Sequence, residues 1–205
     1  MRRTAIDFYF DLASTYSYPA AMRIAALAQA AGVAVRWRPF LLGPTFKAQG
    51  WDTSPFNLYP AKGRYMWRDL ARICGRLALP FRRPDPFPQP SLLAARVAHV
   101  GLAAGWGEAF CRAVFAAEFA DGGQIGEDAV IADLLQGLGV APEPALARAR
   151  SDEIKAALRA ATSAAEQAGV FGAPSFVTAD GELFWGHDRM AEALAWAVRA
   201  PAKGV

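Results

Sequence analysis

The chain opens with a strand, a helix and a second strand inside its first forty residues. Thr4 to Phe10 reads Thr-Ala-Ile-Asp-Phe-Tyr-Phe, rich in β-branched and aromatic side chains, and predicts a mostly buried strand. Asp11 to Ser17 is a short polar turn. Tyr18 to Ala31 carries Ile24, Leu27, Ala28 and Ala31 at i, i+3, i+4 and i+7, an amphipathic helix that Gly32 closes. Val33 to Phe40 alternates again and predicts a second strand. Strand, helix and strand at these lengths make a βαβ unit, with parallel strands and a right-handed crossover. The chain is thereby committed to an α/β architecture.

The middle of the chain reads as helices. Lys62 to Leu79 places Met66, Leu70, Ile73 and Leu77 on one face, and further helices are expected over Ser91–Ala104, Glu108–Phe119, Asp128–Leu138 and Asp152–Ala168. Pro80, Pro84, Pro86, Pro88 and Pro90 mark a rigid linker between the first two. The segment between Phe40 and Lys62, with Gly43, Gly50 and three prolines, reads as a connecting loop. From Gly172 the pattern changes. Ala-Pro-Ser-Phe-Val-Thr is a strand entered through Pro174, Asp180-Gly181 is a hairpin signal, and Glu182–Trp185 is a short strand. A final helix runs from Met190 to Arg199.

Composition removes several function classes. With 54% hydrophobic and 20% charged residues the chain is not disordered. A net charge of +3 over 205 residues is a weak signal for nucleic acid, and none is expected as a partner. Asp7 and Asp11 interrupt the first hydrophobic run, which is therefore not expected to be a signal peptide, and no membrane span is expected. The only cysteines, Cys74 and Cys111, lie outside any CxxC pattern and read as buried small hydrophobes. That argues against a disulfide framework and a zinc–thiolate site, and for a reducing, cytoplasmic compartment. With two histidines in the chain, no metal is expected.

Four segments carry a family resemblance: Phe8-Tyr-Phe-Asp-Leu-Ala-Ser-Thr-Tyr-Ser-Tyr18, Pro60 to Arg72, Phe171-Gly-Ala-Pro-Ser-Phe176 and Trp185-Gly-His-Asp-Arg189. In this order the chain resembles the 2-hydroxychromene-2-carboxylate isomerases and kappa-class glutathione transferases, relatives of the DsbA disulfide oxidoreductases. The resemblance covers nearly the whole chain. It implies a thioredoxin-like fold, residues 1–59 and 170–205, interrupted by a helical insertion over 60–169. It implies glutathione as cofactor, a small aromatic acid as substrate and a homodimer. The activity implied is isomerisation of 2-hydroxychromene-2-carboxylate or a related aryl enone acid in aromatic breakdown. A kappa-type transferase is the alternative, and a dithiol oxidoreductase or a non-catalytic binding protein stands further off.

The resemblance also implies site residues. Ser14 stands where the DsbA relatives carry the first cysteine of CxxC, and matches the serine that activates glutathione. A hydroxyl there and the amides of a helix N-terminus favour a thiolate over a thiol; the plainer reading is that Ser14 or Ser17 caps the helix. Pro174 matches a cis proline facing the active site, with the Ala173 backbone left to pair with an extended peptide; the plainer reading is a trans proline at strand entry. Gly186, His187, Asp188 and Arg189 fall on the glutathione-binding turn. Asp188 either pairs with the γ-glutamyl ammonium or caps the last helix. The family has Asn or Ser where His187 stands, so His187 is either a base or a plain hydrogen-bonding residue. Asn57 is the expected glutathione contact in the connecting loop and Lys47 the expected contact for a substrate carboxylate. Arg64, Arg68, Arg72 and Arg76 recur at i+4, either a solvated face or a wall for anions; Arg64 and Arg68 are the expected substrate contacts.

Overall fold

The computed structural model describes residues 4–199. β1 (Ala5–Phe10), α1 (Ser17–Ala31) and β2 (Ala34–Pro39) form the opening unit. Then come α2 (Leu42–Ala48), α3 (Pro55–Leu58), α4 (Pro60–Arg76), α5 (Leu92–Ala104), α6 (Gly107–Phe119), α7 (Asp128–Gly137), α8 (Pro142–Ala149) and α9 (Asp152–Gln167). The chain closes with β3 (Ser175–Thr178), β4 (Leu183–Trp185), a 3-10 turn over His187–Arg189 and α10 (Met190–Arg199). No helix among the described residues is long and apolar enough to cross a membrane.

The sheet has the order β2-β1-β3-β4. β1 runs parallel to β2 with Phe8 beside Trp37, as the βαβ reading requires. β3 is antiparallel to β1, with Tyr9 beside Ser175, and β4 is antiparallel to β3. The β3–β4 turn closes where Asp180-Gly181 predicted it: Gly181 takes φ +92° and the Thr178 N–H donates to the Glu182 carbonyl at 3.0 Å.

Aromatic packing joins the sheet to the helices. Phe8 stacks on Phe10 and Phe176 with ring centroids 4.8 and 5.4 Å away, and Trp37 meets Phe8 and Phe10 edge-on. Phe115 of α6 lies 5.9 Å from Phe10, and Phe119 stacks on Tyr18 of α1 at 5.7 Å. The Tyr18 hydroxyl donates to the Pro80 carbonyl at 2.8 Å, and burial pushes its pKa up to about 12. The helices between residues 60 and 169 share one continuous core with the strands. Residues 1–3 and 200–205 of the expected domain spans lie outside the described residues.

The segment expected as a connecting loop contains α2 and α3, and α8 is a further helix that the periodicity did not predict. All three hold proline in their first turn, at Pro44, Pro55 and Pro142. The first turn has no intrahelical acceptor for its N–H groups, so proline costs little there although it reads as a breaker. Ser54 caps α3 by accepting from the Phe56 N–H at 3.3 Å.

Beneath the C-terminal end of β1 the core holds two carboxyl groups. Glu118 of α6 is fully buried and neither of its oxygens has a partner. Burial, reinforced by the neighbouring Asp11, holds its pKa well above the usual carboxylate range. A group whose folded pKa is raised contributes stability below its unfolded pKa, and this is lost as pH rises toward the folded pKa. Glu118→Gln keeps the shape and removes the titration. Its stability relative to wild type, from urea unfolding, should therefore climb from about pH 4.5 upward, by at most about 1.4 kcal/mol per pH unit. Parallel pH profiles for the two proteins would show that Glu118 is not held neutral.

Candidate active site

Ser14 lies on the turn between β1 and α1. α1 starts at Ser17, and Tyr16 occupies the cap position without a side-chain hydrogen bond. Neither serine caps the helix: the Ser17 hydroxyl is buried without a partner, and the Ser14 hydroxyl donates to the Ala173 carbonyl at 3.2 Å. The capping reading is thereby overturned. The Thr15 and Tyr16 N–H groups donate to no atom among the described residues, which leaves the positive end of α1 open.

The turn is fixed from below by Asp11. One of its oxygens accepts from the Ala13 N–H at 2.9 Å and the other from the Leu42 N–H at 2.8 Å. Burial raises the Asp11 pKa; these two amides and the Ser91 hydroxyl pull it back. From the side, α4 holds the turn. Thr15 Oγ1 donates to the Met66 sulfur at 3.3 Å and the Tyr16 hydroxyl donates to Asp69 Oδ2 at 3.1 Å. Burial and the Asp69 charge push the Tyr16 phenol well above its ordinary range.

The opposite wall is the segment 171–189. The Ala173–Pro174 bond is cis, as the resemblance implied. The Ala173 N–H has no partner among the described residues. The Gly186 N–H donates to the Pro174 carbonyl at 3.0 Å, which brings the next residue, His187, onto the face of Tyr16, with ring centroids 5.8 Å apart and planes inclined by 20°. Burial holds His187 below the usual imidazole pKa. Gly186 is required here: its φ is +109°, and a Cβ would sit 2.5 Å from Asp188 Oδ1. The Asp188 carboxylate makes no hydrogen bond to backbone among the described residues and pairs only loosely with Arg189, at 3.6 Å, so it does not cap the last helix.

Between these walls lies a cleft of about 1520 Å³. Ser14, Ala173, Pro174, Gly186, His187, Asp188 and Arg189 all line it, so the structure gathers these seven expected residues at one site. It does not bring the other four there. Arg64 and Arg68 are exposed and outside the lining. The cleft face of α4 runs through Tyr65, Asp69 and Arg76, and the Arg64–Arg68 row precedes Tyr65 and Asp69 by one residue, turned about 100° away. Lys47 is likewise one position past Phe46, which lines the cleft with Leu42, Gly43 and Pro44 of α2, and is not itself in the lining. Asn57 is exposed and donates to Thr53 Oγ1 at 3.1 Å, while its neighbour Phe56 lines the cleft. The cations that do reach the cleft include Lys62 and Arg76.

Sequence reasoning passed over the aromatic lining. Tyr16, Trp51, Phe56, Phe171 and Trp185 all face the cleft, and Phe171 and Trp185 pack together with centroids 5.2 Å apart while remaining about half exposed. The available signal was Phe171 and Trp185 standing next to the glycines at 172 and 186, on the edges of short strands. The cleft therefore offers a hydroxyl and free amides at its floor, cations along α4, and flat apolar surfaces at its mouth.

With this geometry in view, the chain belongs to the family of DsbA-like thioredoxin domains, whose model matches residues 5–195. Within it, a 2-hydroxychromene-2-carboxylate isomerase from Sphingobium xenophagum is 29% identical over 187 residues, 90% of this chain and 93% of its own. A solved 2-hydroxychromene-2-carboxylate isomerase structure superposes with a TM-score of 0.84 at 26% identity, covering 95% of each chain. A glutathione S-transferase kappa 1 from Caenorhabditis elegans is 39% identical over 83 residues, 40% of this chain and 36% of its own length.

One position tests how tightly the mouth is built. A Cβ on Gly172 would lie 2.6 Å from Trp185 Nε1. Gly172→Ala should displace the indole and open the Phe171–Trp185 pair, while the buried core keeps its melting behaviour. Tryptophan fluorescence and thermal unfolding of the variant read this directly; an unchanged indole environment would mean that the mouth yields elsewhere.

Proposed function

We propose that this chain is a glutathione-dependent isomerase of aryl enone acids of the 2-hydroxychromene-2-carboxylate type. The observation that carries the reading is a serine hydroxyl, not a thiol, at the open N-terminus of α1, facing the cleft beside Pro174. Dithiol redox chemistry has no partners there: Cys74 lies on α4 and Cys111 on α6, both are buried, and burial pushes Cys74 up to about 11.

The residues present fit glutathione. The unpaired Ala173 amide can receive an extended peptide as a short added strand. Asp188, only loosely paired with Arg189 at 3.6 Å, suits an ammonium group, and Lys62 suits a carboxylate. When bound, glutathione supplies a thiolate that adds to the conjugated carbon and departs after the former double bond has turned, so that it is recovered unchanged. The Ser14 hydroxyl, turned from the Ala173 carbonyl toward the bound sulfur, and the Thr15 and Tyr16 amides stabilise negative charge at the floor. The aromatic mouth takes an aryl body and excludes water around it. Arg76 is the cation in position for the acid group. The kappa-type transferase is the second reading, supported by the kappa relative's higher identity over its shorter span.

Mass spectrometry of mixtures containing glutathione and aryl enone acids separates the two. An isomer of unchanged mass with glutathione recovered is the expected result; glutathione consumed into a stable conjugate would assign the transferase. Ser14→Ala removes one charge-assisted hydrogen bond of about 1.5–3 kcal/mol, which raises the bound thiol pKa by roughly one to two. Turnover at pH 7 should fall about ten- to a hundredfold, with the loss shrinking as pH rises. Thiolate absorbance of bound glutathione against pH is the direct measurement; an unshifted curve would leave activation to the helix N-terminus alone.

A further inference from the structure

A second cavity, of about 260 Å³, lies behind the start of α2, where α5 and α9 meet it. It shares Leu41, Pro44 and Leu92 with the cleft as a common wall. Arg96 of α5 and Lys155 and Arg159 of α9 line it, against a single carboxylate, Glu166. Lys155 is engaged by Asp152 at 3.0 Å, but Arg96 and Arg159 have no hydrogen bond or ion pair within 4 Å among the described residues. Arg159 feels Asp152 only at longer range. The Arg96 Nε is buried and without a partner. An N–H taken from water and left unpaired is costly; because this Nε is closed off, it is the two terminal nitrogens of Arg96 that can receive an oxyanion in the cavity on two bonds.

The rest of the lining sets the body of the ligand. Leu41, Pro44, Leu92 and Leu158 give the cavity an apolar side, and Ser163 adds a hydroxyl, the Thr162 hydroxyl being engaged by the Leu158 carbonyl and the Leu41 N–H. At 260 Å³ it lies below the usual range for drug-sized ligands and is too small for a tripeptide. We propose that this cavity is a binding site for a small organic carboxylate, with its acid group on Arg96 and Arg159 and its apolar part against the leucines. The site is separate from the glutathione cleft and does not depend on the activity assigned to that cleft.

The wall between the two cavities is held from both sides. The Leu41 N–H donates to Thr162 Oγ1 at 3.3 Å, and the next amide, of Leu42, donates to Asp11 in the cleft. A carboxylate seated beside Thr162 therefore touches the anchor of α2, one residue from the group that fixes the Ser14 turn.

Titration of the full chain with sodium benzoate, followed by calorimetry and by the methyl resonances of Leu41 and Leu158, tests the site, with sodium phosphate as the comparison. The expected result is saturable benzoate binding that shifts both methyl groups and is stronger than phosphate binding. Arg159→Ala, at an exposed position where folding is not at stake, should weaken benzoate about tenfold or more. Arg96→Lys, which keeps the charge and loses the fork, should weaken it as well. Ser14→Ala should leave benzoate binding as it is. No saturation by benzoate, binding unmoved in both arginine variants, or phosphate binding as tightly as benzoate would each overturn the proposal.

Discussion

The antiparallel register of β1 and β3 determines everything at the cleft. With Tyr9 beside Ser175, the residues that leave these strands at the same end meet, and Ser14 and Ala173, 159 positions apart in the chain, come into hydrogen-bond contact. A slip by one residue would turn the inward face of β3 outward and break the Phe8–Phe176 stack. The aromatic core thus fixes the register, and the register fixes which backbone groups face the N-terminus of α1. The helices between residues 60 and 169 add the remaining wall, anchored by Phe115 on Phe10 and by Asp69 on the Tyr16 hydroxyl.

Much of this was legible in the sequence because strands and amphipathic helices announce themselves by period. The βαβ opening, the Asp180-Gly181 hairpin and the long helices stand where the pattern placed them. The segment between β2 and α4 was not legible. Its short helices have prolines in their first turns, and one or two turns of helix have too few residues to display a period. The same limit decided the site. Ser14, Pro174 and the 186–189 turn are defined by backbone position, which motif order carries well. Lys47, Arg64 and Arg68 depended on which face of a helix meets the cleft, and one residue of rotation is enough to turn a side chain away.

The substitution of serine for a thiol at the head of α1 has a consistent setting. A redox pair needs a second sulfur within reach, and both cysteines are enclosed in the core among apolar neighbours. A hydroxyl in the same place cannot be oxidised, yet it still donates a hydrogen bond, and two open amides donate beside it. The open, positive helix end therefore meets the cleft without a cysteine beside it, and the proposed charging of a thiol brought from outside rests on that pairing.

That arrangement works only if the charge beneath it does not cancel it. Two carboxyl groups lie below the Ser14 turn, and a negative charge on each would oppose an anion at the floor of the cleft. Burial opposes the charge on Glu118 by holding its pKa well above the usual carboxylate range. Asp11 directs its oxygens at the amides of Ala13 and Leu42 and at the Ser91 hydroxyl, so what charge it carries is taken up by groups that hold the backbone. Asp11 thereby serves the geometry of the turn, and the donors left facing the cleft, the Thr15 and Tyr16 amides, carry a field that favours an anion.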